Sequence, residues 1–270
     1  MGITITPLNS GFCTSNPKTY HYHFSTHKYY PNISSEDKQL PVFAYLLNTG
    51  SELILVDTGM AYDERANTYH HPGSVQLPDQ AMPAALRKAG YKTEDVKKII
   101  FTHLHWDHTF YMKEFINAVY YAQRKEYEFA IHPLPPYYKS YEYKWLKLDA
   151  PFIGCENRFV LLDGEAEIVP GVRVYPTPGH SPGHQAVEVD TKDGTYHCVG
   201  DAVFLMDNFK PIPEIDYDVT PTARFVSLID WWESVREIKR RCPDLNMILP
   251  THEPSLVDRF MKTPVLGSIE

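Results

Sequence analysis

The sequence has no long apolar run and few cysteines. No stretch approaches the ~20 apolar residues that a membrane span needs, and the N-terminus lacks the basic start and apolar stretch of a secretory signal. Without any C-x-x-C pair, a disulfide scaffold and an all-cysteine zinc site are both disfavoured. We therefore expect free thiols in a cytoplasmic protein that does not associate with membranes. The four scattered cysteines are Cys13, Cys155, Cys198 and Cys242.

Basic side chains are also in deficit. The chain has 26 Lys and Arg against 34 Asp and Glu, a net charge of −8, so we expect no nucleic-acid partner. With 43% hydrophobic and 22% charged residues the composition is that of a globular protein. A chain of 270 residues can bury a core without disulfides. Histidine, with 13 residues, is what the sequence has in excess, and it points to the function.

Short apolar runs separated by turn residues predict many strands and a few helices. These elements are mixed through two similar halves with no linker, which predicts an α/β fold of two packed sheets covered by helices, as a single domain over residues 1–270. Residues 9–40 are predicted to be loop. Strands are predicted at residues 1–8, Val42–Leu47, Leu53–Val56, Lys98–Phe101, Ala118–Ala122, Val160–Leu162, Glu167–Val169, Val172–Tyr175, Ala186–Val189, Tyr196–Val199 and Met247–Leu249, and helices at Pro83–Ala89, Arg124–Ile131 and Thr222–Arg241.

An aromatic-rich insertion is predicted at about residues 133–152. It carries four tyrosines and a tryptophan between residues 137 and 145. One interpretation is a pocket wall or lid for an apolar acyl chain. The other is a segment that packs against the body of the protein or against a second copy in a homodimer. The sequence leaves both open.

The run from His103 to His108 is the central motif. It reads His-Leu-His-Trp-Asp-His and directly follows a predicted strand. Because an extended chain alternates its faces, His103 and His105 point the same way, and a turn brings Asp107 and His108 to a neighbouring point. Imidazole nitrogens and carboxylate oxygens suit Zn, and also Fe or Mn. We interpret the motif as a metal site rather than as a polar surface loop.

Three further strand ends carry a candidate ligand. A loop rich in Gly and Pro presents His180, and we interpret His184 in the same loop as a structural or orienting residue. Asp201 follows the strand that ends near Val199, and His252 follows the last predicted strand. Four strand ends carrying His or Asp predict a site at one rim of the packed sheets.

These residues resemble the metallo-β-lactamase superfamily. The 103–108 run matches its H-x-H-x-D-H motif, and the later residues match its remaining ligand positions in order. Within the superfamily the run Thr177–Gln185 is most similar to N-acyl homoserine lactonases. The resemblance implies an αββα sandwich of two mixed sheets and two divalent metal ions, Zn with Fe, Mn or Co as alternatives. It implies that one ion is held by His103, His105 and His180, and the other by Asp107, His108 and His252, with Asp201 bridging them.

The resemblance also implies a mechanism. Five neutral His and two carboxylates sum to −2, two divalent ions add +4, and a bridging hydroxide leaves +1, which favours an anionic tetrahedral intermediate. Asp107 or Asp201 is the candidate for moving the proton to the leaving group. Asp57 matches a strand-end Asp of the family, where it orients a ligand His or caps a loop. The family's substrate-contacting Tyr is Phe204 here, so we consider Tyr217 as a replacement hydroxyl.

The sequence therefore predicts a dinuclear metal-dependent hydrolase that opens a lactone or related carboxylic ester of small size. A thioesterase or phosphodiesterase of the same fold is the alternative, although the net charge disfavours work on RNA. A di-iron redox protein of this fold would carry Glu at the position of His105. A scaffold without catalysis would lack a ligand, and none is lacking.

Overall fold

Apolar runs that are buried on both faces form the centre of the molecule. In the computed structural model, which describes residues 2–22, 28–29 and 36–267, β3 is such a run and all four of its residues are buried. The strands are β1 (Thr4–Ser15), β2 (Lys38–Asn48), β3 (Leu53–Val56), β4 (Val96–Ile100), β5 (Val119–Gln123), β6 (Phe159–Leu162), β7 (Ala166–Val169), β8 (Val172–Pro176), β9 (Gln185–Thr191), β10 (Gly194–Gly200) and β11 (Ile248–Pro250).

The helices are mostly short. They are α1 (Asp63–Tyr69), α2 (Met82–Lys88), α3 (Trp106–Thr109), α4 (Arg124–Ile131), α5 (Leu228–Arg241) and α6 (Ser255–Lys262). Short 3-10 helices lie at Pro17–Tyr20, Thr93–Asp95, Met112–Glu114, Pro135–Tyr137, Glu156–Arg158, Met206–Phe209, Pro213–Ile215 and Leu245–Met247. In the described part of the chain no helix is both long and apolar enough to cross a bilayer; α5, with 14 residues, is the longest of them.

The strands form two mixed sheets. The first has the order β1-β2-β3-β4-β5-β6, antiparallel up to β3 and parallel from there on. The second has the order β11-β10-β9-β8-β7, antiparallel except for the parallel pair of β10 and β11. The predicted fold class of two packed mixed sheets with flanking helices is confirmed.

Three apolar layers hold the sheets and helices together. The layer between the sheets joins Ile54 of the first sheet to Val187 of the second, and α6 closes it by placing Phe260 edge-on to Phe43, with ring centroids 4.9 Å apart. The outer face of the first sheet is covered by α2, and that of the second sheet by α5, whose Trp231 is fully buried. Full burial of one such side chain contributes about 1.5–3 kcal/mol.

The N-terminal region differs from its prediction. β1 extends to Ser15 instead of ending near residue 8, because it continues to pair with β2 beyond a register shift between Asn9 and Phe12. Gly11 in that bulge has φ +134°, a conformation that side-chain-bearing residues rarely adopt. Much of the loop predicted over 9–40, at 23–27 and 30–35, lies outside the described residues.

The long C-terminal helix also begins later than predicted. α5 begins at Leu228, not at Thr222, because the Ser227 hydroxyl caps it by accepting the N–H of Asp230 at 3.3 Å. The backbone N–H groups of Val226 and Ser227 are already bonded to the carbonyl of Gly179. Residues 222–227 therefore lie outside the helix, as an irregular segment with bends at Ala223 and Val226, beside the loop of His180. The single domain, the homodimer and the cytoplasmic location stay predictions.

Candidate metal centre

Strand ends bring the predicted ligands to one rim of the sandwich. β4 leads into the 103–108 motif, β8 into the loop of His180, β10 into Asp201 and β11 into His252. β3 and β4 are parallel neighbours, as are β10 and β11, so the carboxyl ends within each pair lie at the same sheet edge. Such edges are where open α/β sheets bind ligands.

The seven predicted ligands fall into three overlapping groups. Within each group the candidate ligand atoms lie within 4.8 Å of one another. The groups are His103 with His105 and His180, His103 with His108 and Asp201, and Asp107 with His108 and His252. The shared members make the three groups one continuous cluster.

The Asp201 carboxylate stands between two sets of histidines. Its Oδ2 lies 3.4 Å from Nε2 of His180 and 4.0 Å from Nε2 of His103. Its Oδ1 lies 3.3 Å from Nε2 of His108 and 3.3 Å from Nε2 of His252. One oxygen therefore faces each set, which is the arrangement of a carboxylate that bridges two cations. Asp107 belongs to the second set, with Oδ2 3.6 Å from Nε2 of His252.

Hydrogen bonds at the far side of the rings aim Nε2 into the cluster. The Nδ1 of His180 donates to the carbonyl of Arg224 at 3.1 Å, and that of His252 donates to the carbonyl of Pro41 at 2.9 Å. Because a carbonyl can only accept, Nδ1 carries a proton, and Nε2 is the nitrogen that remains to offer a lone pair to a metal ion. This backing is typical of metal-ligating histidines.

The unpaired atoms of the cluster fit a cation. Within the described residues, Nε2 of His103, Nε2 of His108 and Oδ1 of Asp201 are buried and have no hydrogen-bond partner. Burying a polar atom without a partner costs about 1–3 kcal/mol. Five imidazoles and two carboxylates are a donor set that suits divalent zinc, iron, manganese or cobalt. The residues present therefore fit bound metal.

Burial and charge set the protonation of the cluster. Burial lowers the pKa of His103, His105 and His180, which keeps these rings neutral and able to donate a lone pair. Burial alone would raise the pKa of Asp201, but the neighbouring His252 and His108 hold it well below its usual range. The carboxylate is therefore ionised within the cluster.

Asp57 lies directly behind the cluster. Its Oδ2 accepts Nδ1–H of His108 at 2.8 Å and the hydroxyl of Thr102 at 2.8 Å, and its Oδ1 accepts the backbone N–H of Thr102 at 2.8 Å. Asp57 has φ +60°, a left-handed conformation that is strained for a residue with a side chain. These contacts are those that an orienting residue would make, and this role for Asp57 stays a proposal.

His184 holds the backbone rather than the cluster itself. Its Nε2 accepts the N–H of Asp201 at 3.2 Å, and its Nδ1 lies 2.8 Å from the hydroxyl of Thr177. Because Nε2 accepts a hydrogen bond, the proton of the neutral His184 ring lies on Nδ1, which donates it to the hydroxyl of Thr177. His184 thus links the loop after β8 to the loop after β10, as expected of a structural residue in this position.

A buried carboxylate that the sequence did not reveal joins two of these loops. Glu126 of α4 is fully buried and accepts four hydrogen bonds. Its Oε1 accepts the N–H of Leu104 at 3.0 Å and the hydroxyl of Tyr141 at 2.9 Å. Its Oε2 accepts the hydroxyl of Ser181 at 2.6 Å and the N–H of Gly183 at 3.1 Å. No local pattern distinguishes Glu126 from the exposed Glu128 of the same helix.

A cavity of about 390 Å³ opens beside the cluster. Phe204 lines it, with its ring stacked on His252 at a centroid distance of 5.6 Å. Tyr217 is not among the lining residues: its backbone pairs with Ile212, and its ring packs edge-on against Trp232 at 5.0 Å. The structure thus does not bring the expected replacement hydroxyl to the cavity. The phenol against Phe204 is that of Tyr20, at a centroid distance of 4.9 Å.

The aromatic-rich insertion at about residues 133–152 contributes both to the cavity wall and to the core. Tyr137, Lys139 and Ser140 line the cavity, while Tyr141 is buried in the core next to α4. The backbone N–H of Trp106, which lies inside the 103–108 motif, donates to the carbonyl of Ser140 at 2.9 Å. Part of the insertion is therefore a cavity wall, and part is core.

A helix–sheet–sheet–helix sandwich with this His and Asp cluster at its rim defines a class of metal-dependent hydrolases. The family model described as the metallo-beta-lactamase superfamily matches residues 37–252. The chain belongs to the metallo-β-lactamase superfamily and is a metal-dependent hydrolase, as its motifs predict.

Among curated proteins the chain is similar to N-acyl homoserine lactonases. That of Bacillus cereus is 35% identical over 189 residues, which cover 66% of this chain and 71% of the relative. The lactonase AttM of Azorhizobium caulinodans is 26% identical over 240 residues, covering 84% and 88%. The predicted resemblance to this group is confirmed.

Solved structures show the same fold. The N-acyl homoserine lactone hydrolase with the product N-hexanoyl-L-homoserine at its catalytic metal center matches with a TM-score of 0.72 at 24% identity, over 96% of this chain and 97% of that one. AidC, a dizinc quorum-quenching lactonase, matches with a TM-score of 0.71 at 16% identity, over 93% and 88%.

Proposed function

We propose that the protein is a dinuclear metal-dependent lactonase that opens the ring of an acylated lactone. The observation that carries the proposal is Asp201, whose two oxygens face two separate sets of histidines. The curated relatives named as N-acyl homoserine lactonases support the lactone as substrate. The solved relative described as a dizinc lactonase supports zinc as the metal.

The proposed ligand sets are two of the three groups, and the third group connects them through Asp201. His103, His105 and His180 would hold one ion, Asp107, His108 and His252 the other, and Asp201 both. Two divalent cations held there would polarise the lactone carbonyl and lower the pKa of water towards ~7. Iron, manganese and cobalt are accepted by the same donor set.

The side chains around the cluster then divide the remaining work. Asp107 lines the cavity and is partly exposed, so its carboxylate can take a proton from the attacking water and return it to the leaving oxygen of the opened ring. Phe204 covers His252 and His180 and limits the access of water. The ring of Tyr20 packs against Phe204 and forms part of the cavity wall, and burial raises the pKa of its phenol to about 12, so the phenol stays uncharged.

The test combines metal analysis with a substrate panel. We expect about two metal ions per chain, and turnover of lactones rather than of a thioester or bis-p-nitrophenyl phosphate. His103→Ala and His252→Ala should each lose bound metal and reduce kcat/KM on the lactone by at least about a hundredfold, because each removes a ligand. His132→Ala, at an exposed His, is the matched control. Turnover of the phosphodiester alone, or a folded His103→Ala with full activity, would contradict the proposal.

A further inference from the structure

Arg224 is an unusual arginine for this protein. It lines the cavity beside the metal ligands, and its Nε is buried without a hydrogen-bond partner. Within the described residues no carboxylate pairs with its guanidinium. Six other arginines have acidic partners, among them Arg65 with Glu142 and Arg173 with Asp190. In the described chain Arg87, Arg158 and Arg259 also lack an acidic partner, but none of them has a buried nitrogen without a hydrogen bond.

Lys139 is a second cation in the same cavity. Its Nζ donates to the carbonyl of His70 at 2.7 Å, which leaves two N–H groups for another acceptor. No acidic side chain of the described chain pairs with it. Lys139 and Arg224 therefore add two positive charges to the lining of one cavity. Burial, with repulsion from Arg224, lowers the pKa of Lys139, and an anion bound in the cavity would relieve that repulsion.

Arg224 is held at a fixed place relative to the metal ligands. Its carbonyl accepts Nδ1–H of His180 at 3.1 Å, and its guanidinium lies over the ring of Tyr20, with Cζ 5.2 Å from the centroid. Tyr20 in turn packs against Phe204, which contacts His180 and His252. The guanidinium of Arg224 is therefore separated from the ligand cluster by one pair of aromatic rings.

The ligand carboxylates do not require these cations as partners. Asp201 and Asp107 face the histidines of the cluster, and bound divalent ions would compensate their charge. The charge of Arg224 and Lys139 then remains available to a molecule in the cavity. A guanidinium matches a carboxylate with two parallel hydrogen bonds, and an ammonium adds a point charge.

We propose that Arg224 and Lys139 bind a carboxylate on the acyl part of the substrate while its lactone ring lies at the metal cluster. The substrate class is then an acylated lactone whose acyl group ends in a carboxylate, rather than one with a plain alkyl chain. This inference rests on the proposed lactonase function, and it deepens that function by naming the charge of the substrate.

The first experiment compares two lactones that differ only in charge. N-succinyl homoserine lactone ends in a carboxylate, and its terminal primary amide is the neutral match. We expect kcat/KM to favour the carboxylate at least about tenfold, since hydrogen bonds to a charged group are stronger than those to a neutral one. Arg224→Gln and Lys139→Gln should each reduce kcat/KM for the carboxylate about tenfold through KM and leave the amide within about threefold.

Three further arms keep the result interpretable. Arg236→Gln, at an exposed arginine outside the cavity, should leave both lactones unchanged. Arg224→Lys keeps the charge and should retain most of the preference. The γ-lactam analogues of the two compounds are not expected to be hydrolysed, so calorimetry measures their binding without catalysis. We expect the wild type to bind the charged lactam at least about tenfold more tightly than the neutral lactam. Arg224→Gln should bind the two lactams with equal affinity.

The outcomes separate this inference from the proposed function. Hydrolysis of both lactones with no preference, or an equal loss on both in Arg224→Gln, would overturn the carboxylate site and leave the lactonase standing. Hydrolysis of neither of these lactones, and of none of the lactones in the substrate panel, would overturn the lactonase. In that case the lactam still tests the cavity, and equal binding of the charged and neutral lactams would reject the carboxylate site as well.

Discussion

Asp57 illustrates what one side chain behind the ligands is expected to do. Its carboxylate accepts three hydrogen bonds, one of them from His108, and so orients that ring. Asp57→Asn keeps the shape but replaces one accepting oxygen with an NH₂ group that faces donors. We predict that it weakens metal binding about 10–100-fold, measured by competition with a chelator.

Asp216→Asn is the matched control for this prediction. Asp216 also has a left-handed backbone, with φ +58°, but it is exposed, and its side chain makes no hydrogen bond in the described structure. The control should bind metal as the wild type does. Equal chelator curves for the two variants would show that Asp57 does not orient His108.

Helix α4 acts at the scale of elements, because its Glu126 holds two loops that carry ligands. The four donors come from the motif loop, the insertion and the loop of His180. Glu126→Gln turns an acceptor into a donor that faces other donors in a fully buried site. We predict a loss of about 2–4 kcal/mol in the free energy of unfolding, measured by urea denaturation of the metal-free protein.

Glu128→Gln is the matched control for Glu126→Gln. Glu128 lies on the same helix but is exposed, so this variant should stay within about 0.5 kcal/mol of the wild type. If both variants unfold at the same urea concentration, the buried network does not stabilise the rim in the way that its geometry indicates.

At the scale of the whole molecule, buried histidines make stability depend on pH. Burial, with repulsion from Arg224, lowers the pKa of His71 from 6.5 to about 4. Between these values the unfolded chain binds the proton and the folded protein does not, so the contribution of His71 to stability is fully present above pH 6.5 and is lost as the pH drops towards 4. The contribution of His71 is on the order of 3 kcal/mol. His71→Gln should flatten this slope in urea denaturation of the metal-free protein.

His132→Gln provides the comparison for the pH prediction. His132 is exposed, so its replacement should leave the slope between pH 4 and 7 unchanged. Stability curves that stay parallel for the wild type and His71→Gln would mean that His71 titrates alike in the folded and unfolded states.

The sequence by itself determined the ligand chemistry and the layers of the fold. The motif at 103–108 is local, and alternation in the extended chain that follows β4 predicts that His103 and His105 share a face. Buried strands such as Leu53–Val56 are likewise evident from continuous apolar runs. Helices α1, α3 and α6 were not predicted, and Thr222–Ser227 was assigned to a helix that begins only at Leu228.

Only the tertiary structure decided which remote side chains meet at the cavity. Tyr20 reaches Phe204 while Tyr217 does not, and Glu126 is buried while Glu128 is exposed, although neither pair differs in local pattern. A net charge of −8 gave no sign of two cations facing one cavity. The physical reason is that burial and partners depend on how distant segments pack, whereas ligand type and strand period are properties of adjacent residues.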